Sequence, residues 1–103
     1  MEEDRQKEQQ ARILMALGSA DRLNIVHKLM SDQRPIHIKG IAKEMGLDYA
    51  SVYRNVKLLA SAKIIDVFEV GRSRVIKLRD PEGTGILLKH CKSLSDKINN
   101  QKG

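Results

Sequence analysis

Arg54 and Lys57 stand one helical turn apart, and Arg72 and Arg74 flank Ser73 about twenty residues further on. Guanidinium and ammonium groups in such pairs supply positive charge and hydrogen-bond donors to phosphate oxygens and base edges. The first pair lies in "YASVYRNVKLLASAK", where Val52, Val56 and Leu59 fall within ~40° of one another at about 100° per residue and form an inner stripe. On the same wheel Ala50, Tyr53, Arg54 and Lys57 fall between ~100° and ~200° and face outward. Such a face suits a helix entering a DNA major groove, where Arg can bond guanine and Ala can meet a thymine methyl. The second pair belongs to "GRSR", a hairpin tip introduced by Gly71. The alternating spacing lets Arg72 and Arg74 project toward a phosphate backbone or an adjacent minor groove, with Lys77 and Arg79 on one side of the return strand. The plainer readings are a solvated helix face with one partly buried tyrosine, and a charged hairpin that guards a sheet edge against aggregation.

Other chemistries find little here. There is no Gly-rich phosphate loop, no nucleophile with a paired base and no acidic cluster, so no enzyme is expected. Cys91 is the single cysteine, its apolar neighbours suggest packing, and His27, His37 and His90 are scattered. A soft metal needs several converging thiolates or imidazoles, so neither a metal nor another cofactor is expected.

The 103 residues carry 19 Lys and Arg against 13 Asp and Glu, a formal net charge of +6. Residues 1–10 hold four acids and two bases, so the rest of the chain stands at +8. That balance favours a polyanionic partner. One domain spanning 1–103 is expected, with 1–10 frayed or disordered, and pairing with a second copy would add core to so small a fold. The acidic start lacks the basic region and apolar run of a signal peptide, and no stretch approaches the ~18 apolar residues of a membrane span. The expected location is cytoplasmic and nucleoid-associated, with no membrane partner.

The elements that must position the four cations can be read along the chain. Ala11, Leu14, Met15 and Leu17 recur at helical spacing until Gly18. Ser19 offers an N-cap to "ADRLNIVHKLM", in which Leu23, Val26, Leu29 and Met30 share a face, and Arg34-Pro35 ends that segment. "IHI" reads as a small strand and "KGIAKEM" as a helix closed by Gly46. Asp48 can cap the helix that carries Arg54, "IIDVFEV" is β-rich, and "VIKLR" returns as the second strand. Asp80-Pro81 then opens a final helix.

That order predicts a mainly α (α+β) fold, a winged helix-turn-helix with a two-stranded β-wing over about 70–75 and a recognition helix over about 49–62. The stretches "ALGSADRLNIVHKL", "IAKEMGLDYASVYRNVKLLASAKII" and "VGRSRVIKL" resemble the ArsR-type winged-helix transcriptional regulators, whose first motif reads L-x-x-P-x-R-L-x-I-L-x-x-L. The resemblance implies recognition-helix positions for Tyr49, Ala50, Ser51, Tyr53, Arg54 and Lys57, and wing positions for Arg72 and Arg74 around Ser73. It also implies a homodimer formed by the first and last helices, which would place Leu14 in the interface. Ala20 stands where the family usually has proline, Asn55 interrupts a regular stretch, and "KGIAKEM" lacks the cysteine pair of the thiolate metal sensors.

The last helix carries Leu87, Cys91, Leu94 and Ile98, spaced four, three and four, a short coiled-coil seam. The reading that follows is a homodimeric, sequence-preferring double-stranded DNA-binding regulator of transcription, most simply a repressor. Its alternatives are an architectural protein that coats DNA with little sequence preference, and a winged helix whose basic face meets an acidic protein.

Overall fold

The computed structural model describes residues 1–32 and 34–100. Helix α1 (Glu2–Leu17) begins at the acidic turn Glu2, Glu3, Asp4, whose carboxylates suit the positive end of a helix dipole. It therefore reaches back through the segment expected to fray. Only Ala16 and Leu17 of this helix are buried. Helix α2 (Ala20–Ser31) starts at Ser19, whose side chain accepts the Arg22 amide at 3.3 Å. It buries Ile25, Val26 and Leu29 and leaves Leu23 and Met30 half-buried, a slightly rotated face from the one expected.

The strand expected over "IHI" is shorter by one residue. β1 is Ile36–His37, and α3 (Ile38–Met45) begins at Ile38, which is fully buried. Gly46 ends α3 at φ 67°, a left-handed conformation that costs glycine nothing sterically. Asp48 caps α4 (Tyr49–Ser61) by accepting the Ser51 amide at 2.7 Å. β2 (Ile65–Val70) and β3 (Ser73–Leu78) follow, joined through Gly71 at φ 62°, and α5 runs from Pro81 to Asn100. Asp80 accepts the Gly83 amide at 2.9 Å, completing the expected helix start.

The sheet has three strands rather than a lone hairpin. Its order is β1-β3-β2, all antiparallel, with Ile36 opposite Ile76, His37 opposite Val75, and Glu69 opposite Arg74. Alternation puts Arg74, Ile76 and Leu78 on the face of β3 that turns toward the helices. Ile76 and Leu78 enter the core there, beside Ile25, Val26, Ile41 and Ile65. Val52, Val56 and Leu59 of α4 have no solvent exposure, as the periodicity of that helix predicts. Full burial of each is worth roughly 1.5–3 kcal/mol, which pins α4 to the core along one stripe and leaves its opposite side free.

Candidate nucleic-acid interface

The free side of α4 carries the residues expected to read DNA. Tyr49, Ala50, Arg54 and Lys57 are exposed, while Ser51 and Tyr53 are half-buried. Arg54 donates from Nη2 to Ser51 Oγ at 3.2 Å, one turn back toward the helix start. Asp48, beside this face, has its pKa lowered from the ordinary 3.8, first by the Ser51 amide and then by the Ser51 hydroxyl. A carboxylate that receives an amide hydrogen bond is stabilised in its charged form.

The wing lies against the N-terminal half of α4. Arg74 places its guanidinium carbon 4.6 Å from the centre of the Tyr53 ring and donates from Nη1 to the Tyr49 hydroxyl at 3.2 Å. The two rings are stacked, with centroids 6.1 Å apart and planes 21° from parallel. Lys57 approaches the same Tyr53 ring at 5.7 Å, and Glu69 lies 4.0 Å from Arg74 Nε. Hydrogen bonding to Tyr49, reinforced by both rings, raises the Arg74 pKa further above an already high value, so this group stays charged at any working pH. The pair expected to project together therefore separates. Arg72, at the turn, is exposed and makes no hydrogen bond or ion pair among the described residues, whereas Arg74 is half-buried against α4. Their register explains this: Arg74 sits on the helix-facing side of β3, and Arg72 precedes the strand. Ser73 is exposed at the first position of β3, opposite Val70. Lys77 lies on the other face of β3 from Arg74, and Arg79, just beyond the strand, bonds Asp66 at 2.8 Å.

Two residues missed by pattern reading support α4 from behind. Arg22 donates from Nε to the Ala16 carbonyl at 2.5 Å and from Nη1 to Asn55 Oδ1 at 3.0 Å. Asn55, an interruption of the motif in the sequence, is thus the acceptor that ties α4 to the α1–α2 corner. The signal available in the sequence was a polar residue among apolar neighbours on a helix, which names no partner.

The residues expected at a dimer interface divide by exposure. Leu14, Leu94 and Ile98 are exposed at 57%, 63% and 62%, Cys91 is exposed rather than packed, and Leu87 is half-buried against the core. Met15 and Ile86 are also exposed, at 71% and 53%. A groove of about 790 Å³ between the α1–α2 corner and α5 is lined by Leu14, Leu17, Leu23, Met30, Leu87 and Cys91. Among the described residues no three His, Cys, Asp or Glu side chains converge as metal ligands, and no helix is long and apolar enough to cross a membrane.

The family model HVO_A0114 matches residues 18–80, from the cap of α2 to the end of the wing. The chain belongs to the HVO_A0114 family. The matched region contains the exposed face of α4 and the wing with the Tyr49–Tyr53–Arg74 group, and also Arg22 and Asn55 behind α4. No curated protein matches the chain.

Solved structures share the fold of this HVO_A0114-family chain at low sequence identity. The homodimeric winged helix-turn-helix DNA-binding domain of Mb0332 from Mycobacterium bovis, described as a possible ArsR-family transcriptional regulator, superposes with a TM-score of 0.80 at 20% identity, over 96% of this chain and 89% of that one. NolR from Sinorhizobium fredii gives 0.74 at 15% identity over 90% of each chain. HlyU from Vibrio cholerae, in its reduced form, gives 0.71 at 13% identity over 87% and 95%. The fold is a winged helix-turn-helix, and the resemblance to ArsR-type regulators drawn from the sequence holds at that level.

Proposed function

We propose that the protein binds double-stranded DNA as a homodimer, with α4 in the major groove and the wing tip against the backbone or minor groove, and represses transcription by occupying promoter DNA. The observation that carries this reading is the shared face of α4 and the wing. Arg54, Lys57 and the tip residue Arg72 are exposed cations on two elements that Arg74 joins directly. On that face Arg54 is the candidate for bidentate contact with guanine, Ala50 and Ser51 suit close approach near the helix start, and Arg72 suits a phosphate. The basic balance of the chain beyond residue 10 supports a polyanionic partner.

The homodimer reading rests on exposed apolar residues of the two terminal helices. Leu14, Met15, Leu94 and Ile98 lie on helices that contribute few residues to the core. Joining two such faces would bury them and set two copies of α4 side by side, as a two-fold DNA site requires.

Selection of bound fragments from sheared genomic duplex, with excess random DNA as competitor, tests the proposal. A recurrent motif with two related halves is the expected outcome. Binding without any enriched motif would favour the DNA-coating alternative, and no duplex binding at low salt would favour a protein partner.

A further inference from the structure

The geometry points to Arg74 as a positioning residue: it fastens the wing to α4 and orients the Tyr49 hydroxyl to donate outward, and is not itself a phosphate contact. This rests on the DNA-binding reading for its consequence, although the fastening belongs to the free protein.

Arg74 is already engaged on three sides. Its plane lies over Tyr53, its Nη1 donates to Tyr49, and its Nε faces Glu69. Reaching a phosphate would require breaking a stacked contact and a hydrogen bond, whereas Arg72 at the tip is held by neither. The Tyr49 hydroxyl carries one hydrogen and accepts from a guanidinium, which has donors but no lone pair to accept that hydrogen. Its own hydrogen is therefore left to point away from Arg74. Tyr49 is exposed at the N-terminal end of α4, so an acceptor outside the protein, such as a phosphate oxygen, can receive it. A hydroxyl polarised by a guanidinium is also a stronger donor. The charge of Arg74 would then act through Tyr49, while its stacking on Tyr53 sets the distance between the wing tip and the reading helix.

The full-length chain with Arg74→Ala, Arg74→Lys, Tyr49→Phe and Arg72→Ala tests this, using two measurements. The first is tyrosine ring chemical shifts and backbone order parameters of residues 70–75 in the absence of DNA. The second is the slope of log affinity against log salt on a duplex. Arg74→Ala is expected to shift the Tyr53 ring signals and loosen the wing without DNA. It should lower affinity about tenfold, the scale of one cation–π contact and one hydrogen bond, while keeping the parent's salt slope. Arg74→Lys should rescue little, because an ammonium cannot stack and fork as a guanidinium does. Tyr49→Phe added to Arg74→Ala should cost little more than the single change.

A salt slope flattened by about one phosphate in Arg74→Ala, with affinity restored by Arg74→Lys, would make Arg74 a direct phosphate contact and overturn the inference. Unchanged ring signals and wing order in free Arg74→Ala would overturn it as well. If the parent and Arg72→Ala alike bind no duplex at low salt, the DNA-binding reading fails and the role of Tyr49 goes with it. A loosened wing in free Arg74→Ala would still support the fastening.

Discussion

The guanidinium of Arg22 on α2 grips Asn55 on α4, 33 residues away, while its remaining nitrogens face the carbonyls of Ala16 and Met15 at the end of α1. One side chain of α2 thus ties two other helices, α1 and α4, to its own. Arg22→Ala is expected to lower unfolding stability by about 1.5–3 kcal/mol, the range for hydrogen bonds to a charged group. Asn55→Ala should cost less, about 1 kcal/mol. The double variant should fall short of the sum, because both changes remove one shared hydrogen bond. Denaturant midpoints at a constant slope check all three.

Arg54 and Arg72 should separate sequence choice from affinity. Arg54→Ala is expected to narrow the gap between preferred and random duplex by about 1–3 kcal/mol. Arg72→Ala should weaken binding to every duplex and flatten the salt dependence by about one unit for each phosphate it no longer neutralises. Both are exposed, so thermal midpoints should match the parent. An equal drop in affinity for preferred and random DNA in Arg54→Ala would remove α4 from sequence readout.

Leu94→Asp is expected to leave folded protein that sediments largely as a monomer and binds DNA weakly. Leu94 is exposed in the single chain, so the change spares the core. In a dimer seam the same carboxylate would be buried without a partner. Sedimentation velocity decides it: a fully dimeric variant would take Leu94 out of the interface.

Two positions with left-handed backbone should respond in opposite directions. Gly46, at φ 67°, closes α3, and Gly46→Ala should cost about 1–2 kcal/mol. Lys63, at φ 64°, is the non-glycine residue in that conformation between α4 and β2. Lys63→Gly should raise stability by up to about 1 kcal/mol, the steric relief being offset in part by a freer unfolded chain. Thermal midpoints of the two variants check the signs.

The Asp48 cap makes a pH-dependent contribution. Its pKa is lowered in the folded protein from the ordinary 3.8, so its stabilisation is fully present above that value and is lost as pH falls through the lower folded one. Asp48→Asn keeps a capping oxygen without the titration. Its melting temperature should therefore fall less steeply than the parent's on acidification below pH 3.8, as followed by circular dichroism.

Much of this architecture is legible because it is local. Ser19, Gly46, Asp48, Gly71 and Asp80 each act within a few residues of their own position, and the 3.6-residue period of Val52, Val56 and Leu59 carries the orientation of α4. What escaped pattern reading depends on chain segments that meet only after folding. β1 pairs with β3 some forty residues on, Arg22 finds Asn55, and Arg74 finds Tyr49 across 25 residues. Alternation alone puts Arg72 and Arg74 on one side, but it does not reveal that the Arg74 side chain meets Tyr49 and Tyr53 of α4. α1 extends to Glu2 because acidic residues suit a helix start even where no apolar face is present to announce a helix.

The junction between β1 and α3 carries no linker: His37 pairs with Val75 in the sheet, and the next residue, Ile38, is already helical and buried. An inserted residue there would turn α3 by about 100° against the sheet or slip β1 by one place, sending Ile36 to the opposite face. Across the family, length changes should therefore gather at the Gly71–Arg72 tip and spare the His37–Ile38 step, so that this short join behaves as a frame marker for alignment.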